Sequence, residues 1–470
     1  MTPQQLKSSI LHTAIQGKLV AQRPEEGTGE ELYRQIQAEK QRLIKAGKLK
    51  KEKPLPEIKE DEIPFEIPKT WKWAPLELCC EMYTGNSISE SVKSNRYTGR
   101  QEGYDYIATK DVTFKQEICY DNGIKIPYDE GFKLANKDSI LMCIEGGSAG
   151  RKIGIVDRPV CFGNKLCCFS VQGISNKWLF YYLQTPLFRS LFSENIVGII
   201  GGVSIKKLKG IVIPLPPLAE QKRIVAKIEA IWPNIERYET AWRELEEINQ
   251  RFPIEMQRSL LHTAIQGKLV KQNESECPVD LRLLRKKTDE FEFKIPENWR
   301  IAHLETVSAV VPSKKYQILE SEVLKRGRHP VISQSKLFSI GYSNDEKKLY
   351  HHNNPVIVFG DHTAEVKYVD FDFIVGADGV KIFNPHQDIV LSKFLFYVLK
   401  FYSDGLNEVG GYSRHYKFIK NKAIPLPPLA EQKRIVAKLE QLLPLCERLK
   451  TLSPAKSKKA GRGRPSQAAG

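Results

Sequence analysis

A chain of 470 residues exceeds one ordinary hydrophobic core and predicts two domains of ~150–200 residues with connecting segments. The sequence contains no run of about 18 apolar residues, so neither a membrane span nor a secretion signal is predicted. We therefore expect a cytoplasmic protein without a membrane partner. The formal net charge of +16 indicates a polyanionic partner, usually nucleic acid, although a solvated basic surface gives the same charge.

Four sequence landmarks occur twice along the chain in nearly identical form. Runs of this length do not recur by chance, so the chain contains an internal repeat. In chain order the landmarks are LHTAIQGKLV at residues 11–20 and 261–270, FEIPKTW at 65–71 and FKIPENW at 293–299, KWLFYYL at 177–183 and KFLFYVL at 393–399, and IPLPPLAEQKRIVAK at 213–227 and 424–438.

The order of these landmarks indicates that the chain begins inside one repeat unit and not at the boundary between two units. The second copy ends after its PLPPLAEQ segment, and the LHTAIQGKLV segment that would complete it stands at residues 11–20. We therefore expect residues 1–22 to form a helix that packs with the C-terminal spacer helix. That contact would close the two copies into a circular, pseudo-two-fold arrangement, since chain termini often lie close together at a surface.

A helical pattern follows each PLPPLAEQ segment. The apolar residues alternate in spacings of four and three, which is typical of a coiled-coil seam. In the first copy the seam consists of Ile224, Ile228, Ile231, Ile235, Tyr238, Trp242, Leu245 and Ile248, and in the second of Ile435, Leu439, Leu442, Cys446 and Leu449. The two helices should run antiparallel, and Pro233 and Pro444 should kink or restart them.

The regions between the landmarks contain short β-like runs broken by glycine, such as SILMCIEGG at residues 139–147 and PVIVFGDH at 355–362. An aromatic helix follows these runs in each copy. The fold class we predict is α+β, with two recognition domains of mixed α/β content separated by two long antiparallel coiled-coil spacer helices. The landmarks match while the strands and loops between them differ, so one scaffold presents two different surfaces, as a reader of two sequences requires.

The predicted boundaries follow the landmarks. They are an N-terminal helix at 1–22, a charged arm at 23–64, the first domain at 65–217, a central spacer at 218–270, a linker at 271–292, the second domain at 293–428, a distal spacer at 429–452 and a disordered basic tail at 453–470. Within the tail, GRGRP at 461–465 is similar to an AT-hook, although five residues are a weak signal.

Polar and basic residues in the glycine-broken loops are our candidates for DNA contact, because lysine and arginine neutralise phosphates while arginine, glutamine and serine read base edges. In the first domain they are Thr109, Lys110, Ser148, Arg151, Lys152, Ser204, Lys206 and Lys207, and in the second Ser333, Gln334, Lys336, His362, Thr363, Ser413, Arg414 and His415. Ordinary surface solvation is the alternative for each single residue. Pro214, Pro216 and Pro217 should form a stiff hinge before the first spacer helix. The residues after this hinge and their equivalents in the second copy could face a partner subunit or could simply join domain to helix: Leu218, Ala219, Glu220, Gln221, Leu429, Ala430, Glu431 and Gln432.

Catalytic motifs are missing from the sequence. Neither a GxxxxGK[ST] phosphate loop nor an Asn/Asp-Pro-Pro-Tyr motif occurs. Asp361, Glu365 and Lys367 have the residue types of a nuclease site in a spacing too short for it, and His351–His352 lacks a convergent set of metal ligands. We predict a protein with no catalytic residue and no metal. The alternatives are a self-contained methyltransferase or nuclease and a structural protein built on a coiled coil.

Two diverged domains that each end in PLPPLAEQKRIVAK and a long helix resemble the specificity subunit of Type I restriction–modification systems, over nearly the whole chain. The resemblance implies that each domain reads one half of a split site in double-stranded DNA. It also implies that the spacers dock methyltransferase subunits, of which we expect two, and that restriction and motor subunits, up to two, can join. S-adenosylmethionine and Mg/ATP would then be cofactors of those partners and not of this chain.

Overall fold

The computed structural model describes residues 1–47, 58–197, 201–280, 293–376, 378–404, 406 and 414–452, so the predicted basic tail lies outside the described residues. The chain divides into two compact units, Met1–Arg243 and Glu244–Gly470. Each unit combines helices with small sheets, which confirms the predicted two-domain α+β organisation. In the described ranges, every helix is too short or too polar to cross a bilayer.

Several helices of unit 1 begin at capping residues. Helix α1 (Pro3–Ile15) starts with a capping box, in which the Thr2 side chain accepts from the Gln5 amide and the Gln5 side chain accepts from the Thr2 amide. Helix α2 (Gly29–Lys45) starts in the same way at Thr28. The helices that follow are α3 (Leu76–Cys79), α4 (Glu90–Val92), α5 (Asn176–Tyr182), α6 (Pro186–Glu194), α7 (Ile205–Lys209) and the long α8 (Leu218–Ile265), which continues into unit 2.

The ten strands that the structure describes in unit 1 form three sheets. They are β1 (Lys72–Pro75), β2 (Cys80–Thr84), β3 (Tyr104–Ile107), β4 (Lys125–Ile126), β5 (Leu134–Ala135), β6 (Ile140–Cys143), β7 (Ile153–Ile155), β8 (Val160–Phe162), β9 (Leu166–Val171) and β10 (Val212–Leu215). The sheet orders are β1-β10, β2-β9-β6-β7 and β4-β3-β8-β5. All pairs are antiparallel except β3 with β8, which is parallel.

Unit 2 repeats this plan. Its strands are β11 (Arg300–His303), β12 (Ser308–Val311), β13 (His329–Ile332), β14 (Gly341–Ser343), β15 (Val356–Gly360), β16 (Val366–Val369), β17 (Ile374–Val375), β18 (Val380–Pro385) and β19 (Ala423–Leu426), and its helices are α9 (Leu304–Val307), α10 (Ser392–Ser403), α11 (Tyr416–Ile419) and α12 (Leu429–Leu452). The orders β11-β19 and β12-β18-β15-β16 match those of unit 1. The order β14-β13-β17 matches β4-β3-β8, with β13 and β17 again the parallel pair, and the described residues of unit 2 contain no equivalent of β5.

Strand β6 shows why the central strands are apolar throughout. Ile140 and Met142 point into the cluster that also contains α1 and the start of α8, whereas Leu141 and Cys143 point into a second cluster on the opposite face. Because successive side chains alternate between faces and both faces are covered, no position of β6 is left for a polar residue. The strand therefore reads as a continuous hydrophobic run, as β15 does in unit 2.

The N-terminal helix packs against a different partner from the one we predicted. Leu11, Ala14 and Ile15 are buried in the core of unit 1 together with Ile224 and Ile228, at the start of α8. We correct the expectation that residues 1–22 pack with the C-terminal spacer. Because α1 precedes the first domain and the end of α8 precedes the second, each unit is complete in tandem order, and α8 is the last helix of one unit and the first of the next.

Antiparallel helix pairing occurs inside each unit. The end of α8 and α12, which belong to the two spacers that we predicted to pair, are antiparallel in unit 2, whereas in unit 1 the partner of α8 is α1. In unit 1, Lys7 of α1 contacts Glu239 of α8 at 2.7 Å. In unit 2, Gln257 near the end of α8 contacts Lys450 of α12 at 3.0 Å, and Leu261 lies in one cluster with Leu439. Lys7 and Gln257 occupy equivalent places in the repeat, so the two helix pairs are built alike.

The seam of α8 is buried only over part of its length. Ile224, Ile228 and Ile235 are buried, whereas Leu245 and Ile248 are 52% and 59% exposed. The reason is the length of α1, which begins at Pro3 close to the contact between Lys7 and Glu239 and so covers α8 no further. Helix α8 continues through Pro233 and α12 through Pro444, so neither proline restarts its helix.

Candidate DNA-recognition surfaces and the spacer motif

The buried carboxylate of Glu220 joins three of the repeated landmarks. Its Oε2 accepts a hydrogen bond from the indole Nε1 of Trp71 at 2.9 Å, and its Oε1 accepts one from Nε2 of Gln22 at 2.6 Å. Gln22 also donates to the carbonyl of Gly17 at 3.1 Å, which fixes the turn after α1. Burial raises the pKa of Glu220 above its ordinary value, and these two donors oppose that effect.

The next residue, Gln221, ties the same helix start to the recognition domain. Its Oε1 accepts from the amide of Ser175 just before α5 at 2.9 Å, and its Nε2 donates to the carbonyl of Pro216 at 2.9 Å. Arg223 pairs with Glu26 at 2.6 Å, so a surface ion pair closes the edge of this cluster. We call the set Gln22, Trp71, Glu220 and Gln221 the clasp of unit 1.

Unit 2 contains the same clasp. Glu431 accepts from Trp299 at 3.0 Å and from Gln272 at 2.6 Å, and Gln432 accepts from the Leu391 amide at 2.8 Å. Burial raises the pKa of Glu431 as it does that of Glu220. The PLPPLAEQ motif is therefore a structural junction between recognition domain and spacer helix.

This geometry corrects part of the predicted partner surface. Glu220, Gln221, Glu431 and Gln432 are all buried and their polar atoms are used inside the chain, so they cannot face a partner subunit. The signal for their burial in the sequence was that a tryptophan, Trp71 or Trp299, recurs together with this helix start in both copies. Leu218, Ala219 and Ala430 are exposed and Leu429 is half-buried, so for these four a partner contact stays a prediction.

In domain 1 the structure brings most of the predicted DNA contacts to neighbouring loops. The Lys152 ammonium donates to the carbonyl of Thr109 at 2.9 Å, which links the β6–β7 turn to the loop after β3. The turn itself contains Ser148 and the exposed Arg151. Gly146 donates to the carbonyl of Gly201 at 2.8 Å, which places the loop before Ser204 beside that turn.

Three further candidates of domain 1 are exposed to solvent: Lys110, Lys206 and Lys207. Sequence reasoning missed two residues here. Phe114 is 61% exposed at the tip of the loop after β3, with the charged groups of Arg151 and Lys152 about its ring at 5.4 and 5.2 Å. Nε of Arg189 is buried without a hydrogen-bond partner among the described residues, and burial with nearby Arg151 lowers its pKa.

In domain 2 the candidates gather on two loops that are hydrogen-bonded to each other. Thr363 Oγ1 donates to the carbonyl of Gln334 at 2.5 Å, and the amide of His362 donates to Gln334 Oε1 at 3.1 Å. The side-chain Nε2 of Gln334 donates in turn to the carbonyl of Asp378 at 2.9 Å. The Gln334 side chain is therefore used to hold these loops together, while Lys336 is exposed beside it.

The remaining candidates of domain 2 differ in accessibility. Arg414 is exposed, whereas Ser333 and His415 are both only 3% exposed, so we withdraw these two as direct contacts. The backbone amide of His415 donates to the carbonyl of Asp361 at 2.6 Å, which joins its loop to the turn after β15. Ser413 lies outside the described residues.

Neither possible catalytic cluster has the geometry of one. The Asp361 carboxylate accepts from the Tyr416 amide at 2.8 Å, and the Lys367 ammonium is held by backbone carbonyls of another loop. His351 pairs with Asp372 at 2.7 Å, and His352 contacts the carbonyl of Phe371 at 2.9 Å. Over the described part of the chain no group of three or more His, Cys, Asp or Glu side chains could hold a metal ion.

Fold and surfaces together define a tandem protein in which one scaffold presents two different sets of polar loops. A family model described as Type I restriction modification DNA specificity domain matches residues 68–247 and 296–455. The chain belongs to this family and contains two such domains.

Similar proteins span nearly the whole chain. The Type I restriction enzyme EcoAI specificity subunit of Escherichia coli is 24% identical, over 95% of this chain and 90% of its own length. A solved chain from work on complex assembly and conformational transition of the type I R-M system has a TM-score of 0.57 at 18% identity, covering 84% of this chain and 96% of its own. The HsdS subunit from Thermoanaerobacter tengcongensis has a TM-score of 0.50 at 19% identity, over 85% and 98%. These two likenesses support the fold.

Proposed function

We propose that this cytoplasmic chain directs a Type I restriction–modification complex to a two-part site in double-stranded DNA, with one half-site read by each domain. The observation that carries this proposal is the contrast between the two copies. Their clasps match atom for atom, whereas the loops after β3 and β13 and the β6–β7 and β15–β16 turns carry different residues. Exposed polar loops that differ between two copies of one scaffold are what two different base sequences require.

Catalysis in this proposal belongs to partner subunits. Two methyltransferase subunits would bind S-adenosylmethionine and methylate adenines, and restriction subunits with Mg/ATP would join them. This chain would supply position and specificity, since its ionisable clusters are engaged in structural hydrogen bonds.

The middle of α8 is the surface we propose for docking the methyltransferase subunits. Several apolar residues are exposed along it: Tyr238, Leu245, Ile248, Phe252, Ile254 and Met256. A helix face of this kind attracts an amphipathic partner helix, because burying it removes apolar area from water. Leu245→Asp combined with Ile248→Asp should abolish co-purification of the methyltransferase while leaving DNA binding by the chain itself intact.

Reconstitution tests the proposal directly. The purified chain should transfer no methyl group from S-adenosylmethionine to DNA, and addition of the methyltransferase encoded beside it should give methylation at one two-part site. Methylation by the chain alone would instead identify a self-contained enzyme. Failure to bind DNA in a salt-dependent manner would favour a structural coiled-coil protein.

Exchange of one domain separates the two readers. Residues 72–215 of unit 1 should be replaced by the equivalent residues of a related subunit, with Gln22, Trp71 and Glu220 retained so that the clasp can close. Methylation sequencing should then show one changed half-site and one unchanged half-site. A change in both half-sites would contradict the assignment of one reader to each domain.

A further inference from the structure

Lys367 of β16 lies buried beneath the hairpin loop that joins β13 to β14. Its ammonium donates to the backbone carbonyls of Ser333 at 2.7 Å, Leu337 at 2.5 Å and Phe338 at 3.3 Å. These three bonds use all the N–H donors of a lysine. Burial lowers the pKa of Lys367 to about 8, so a charged group is kept here against its desolvation. An apolar residue would suit the sheet better, which points to the loop as the reason for the lysine.

In this loop the backbone carbonyls face the protein and the apolar side chains face solvent. Because its carbonyls point inward to the ammonium, its apolar side chains point outward: Leu337 is 67% exposed and Phe338 is 49% exposed. The ring of Phe338 lies 6.0 Å from that of Phe371, which is also exposed. The loop therefore leaves in water apolar side chains whose burial would have stabilised the fold.

Domain 1 contains a similar but looser arrangement, in which a half-buried lysine makes one such bond. The loop after β3, the equivalent of β13, is held at its start by Lys152, whose ammonium donates to the carbonyl of Thr109 at 2.9 Å. The tip of this loop exposes Phe114 and Lys115, as the other exposes Phe338 and Lys336. Since the two loop sequences differ, the recurrence of a lysine tie and an exposed phenylalanine beside a lysine argues for a shared task.

The position and charge of the tip favour duplex DNA as its occupant. The loop also contains Gln334, which is hydrogen-bonded to His362 and Thr363 of the neighbouring turn. Residues 333–340 include Lys336 and no acidic residue, while Asp370, Asp372 and Asp378 lie on neighbouring turns. Lys336 is therefore the residue of the loop that can pair with a phosphate. An apolar side chain next to a phosphate-binding lysine is the combination by which proteins insert wedges between base pairs.

We propose that Leu337 and Phe338 form an apolar wedge that enters the base stack of the half-site read by domain 2, and that Lys367 is the positioning residue that presents this wedge. The inference rests on the proposed function of the chain as a DNA reader. A wedge selects sequence through the ease of unstacking, so the half-site should place a flexible pyrimidine–purine step beneath it. Phe114 would act in the same way on the other half-site.

Fluorescence of 2-aminopurine in the DNA tests the wedge. The full chain, assembled with its methyltransferase subunits, is bound to a duplex carrying the site mapped by methylation sequencing, with 2-aminopurine placed in turn along the half-site of domain 2. Binding should increase the fluorescence at one step, because the probe brightens when it is unstacked. Phe338→Ala together with Leu337→Ala should remove that increase and weaken binding roughly tenfold.

Two single variants separate the roles. Lys336→Ala should keep the fluorescence increase and reduce the slope of log affinity against log salt concentration by about 1, whereas the wedge variant should leave this slope unchanged. Lys367→Met should lose the fluorescence increase although Leu337 and Phe338 are still present, and circular dichroism at pH 7 should show that the variant is folded.

The outcomes distinguish failure of the wedge from failure of the proposed DNA-reading function on which it rests. If the unaltered complex does not bind its mapped site, the proposed function fails. If it binds that site without any fluorescence increase and the wedge variant binds equally well, only the wedge is overturned. If the wedge variant binds DNA normally but no longer assembles with the methyltransferase, the tip is a protein-docking surface and the wedge is again overturned.

Discussion

The indole Nε1 of Trp71 donates a hydrogen bond to Oε2 of Glu220 at 2.9 Å. The bond joins the residue just before β1 to the first turn of α8, and β1 pairs with β10, the strand that leads into that helix. The direction in which α8 leaves the recognition domain is therefore fixed by this hydrogen bond and by the pairing of β1 with β10. The proline segment between β10 and α8 is one half of this junction, and the buried carboxylate is the other.

Removing that carboxylate should destabilise unit 1 selectively. Glu220→Ala leaves the Trp71 and Gln22 donors without an acceptor, which should lower the free energy of unfolding by about 2–4 kcal/mol, whereas Glu220→Gln keeps one acceptor and should lower it by about 1 kcal/mol. Denaturant unfolding with hydrogen exchange checks this, and Glu431→Ala should act equally on unit 2. The control is Glu229→Ala, which removes an exposed ion pair with Lys177 and should cost under about 1 kcal/mol. Equal effects of Glu220→Ala and Glu229→Ala would contradict the clasp.

The tandem order of the units predicts which half each repeated helix supports. Ile15 and Ile265 are equivalent and both buried, so replacing either by alanine should destabilise its unit by about 2–5 kcal/mol. Hydrogen exchange should accelerate around β6 and α5 for Ile15→Ala and around β15 and α10 for Ile265→Ala. Protection lost mainly in α12 on changing Ile15 would instead restore the circular pairing that we first expected.

The length of α8 should set the unread gap in the DNA site. Four residues inserted after Arg243, beyond the contact of Lys7 with Glu239, should lengthen the helix by ~6 Å, or roughly two base pairs. The insertion turns the helix by about 400°, so its apolar face moves by only ~40°. Methylation sequencing should show unchanged half-sites and a longer spacer.

A two-residue insertion at the same place is the control for this change. It turns the apolar face by about 200° for little gain in length, so assembly should fail. A four-residue variant that stays active on the original spacing would show that α8 is not the ruler.

Binding to the half-site of domain 2 should weaken as the pH rises through about 8, the pKa of Lys367 in the folded chain. The neutral amine keeps fewer donors for the three carbonyls, so the affinity should fall roughly tenfold between pH 7 and 9 at constant salt. Fluorescence anisotropy measures this, and Lys367→Met should show no such step. An affinity of the unaltered chain that is flat over this range would count against the positioning role.

Stability should respond to the same proton with the opposite sign. The pKa of Lys367 is lowered from 10.5 to about 8 on folding, so between these values the unfolded chain binds more protons than the folded chain. The contribution of Lys367 to the free energy of unfolding should therefore rise with pH across this window. Thermal unfolding of the unaltered chain and of Lys367→Met from pH 7 to 10 separates this stability effect from the loss of affinity.

The repeat made the domain plan accessible from sequence alone. Two copies of PLPPLAEQ followed by heptad-like spacing placed both helix starts, and the β-like runs placed β6 and β15. The identity of the helix partners was not accessible, because residues 11–20 and 261–270 have the same sequence and either could fit either copy.

The roles of the polar motif residues could not be read from local sequence either. Glu220 and Gln221 stand at a helix start, where charged residues are commonly solvated, and their burial is decided by Trp71 and Gln22, which are 149 and 198 residues away. The one available signal was that tryptophan, glutamine and glutamate recur together in both copies. Lys367 depended on strand register, since the alternation along β16 decides that its side chain points under the hairpin loop and not towards Asp361.

The shared helix α8 has a consequence for inheritance. Residues 213–229 and 424–440 differ only at Ile228 and Leu439, so the gene encodes the same peptide twice, with one conservative difference. Crossing-over between the two coding stretches would delete one α8 and one recognition domain in frame. The shortened product would still begin with α1 and would still place a glutamate opposite Trp71 and Gln22, so its surviving domain would keep a closed clasp. The junction that holds each reader in place is thus also the point at which the gene can lose or gain a reader without damaging the rest.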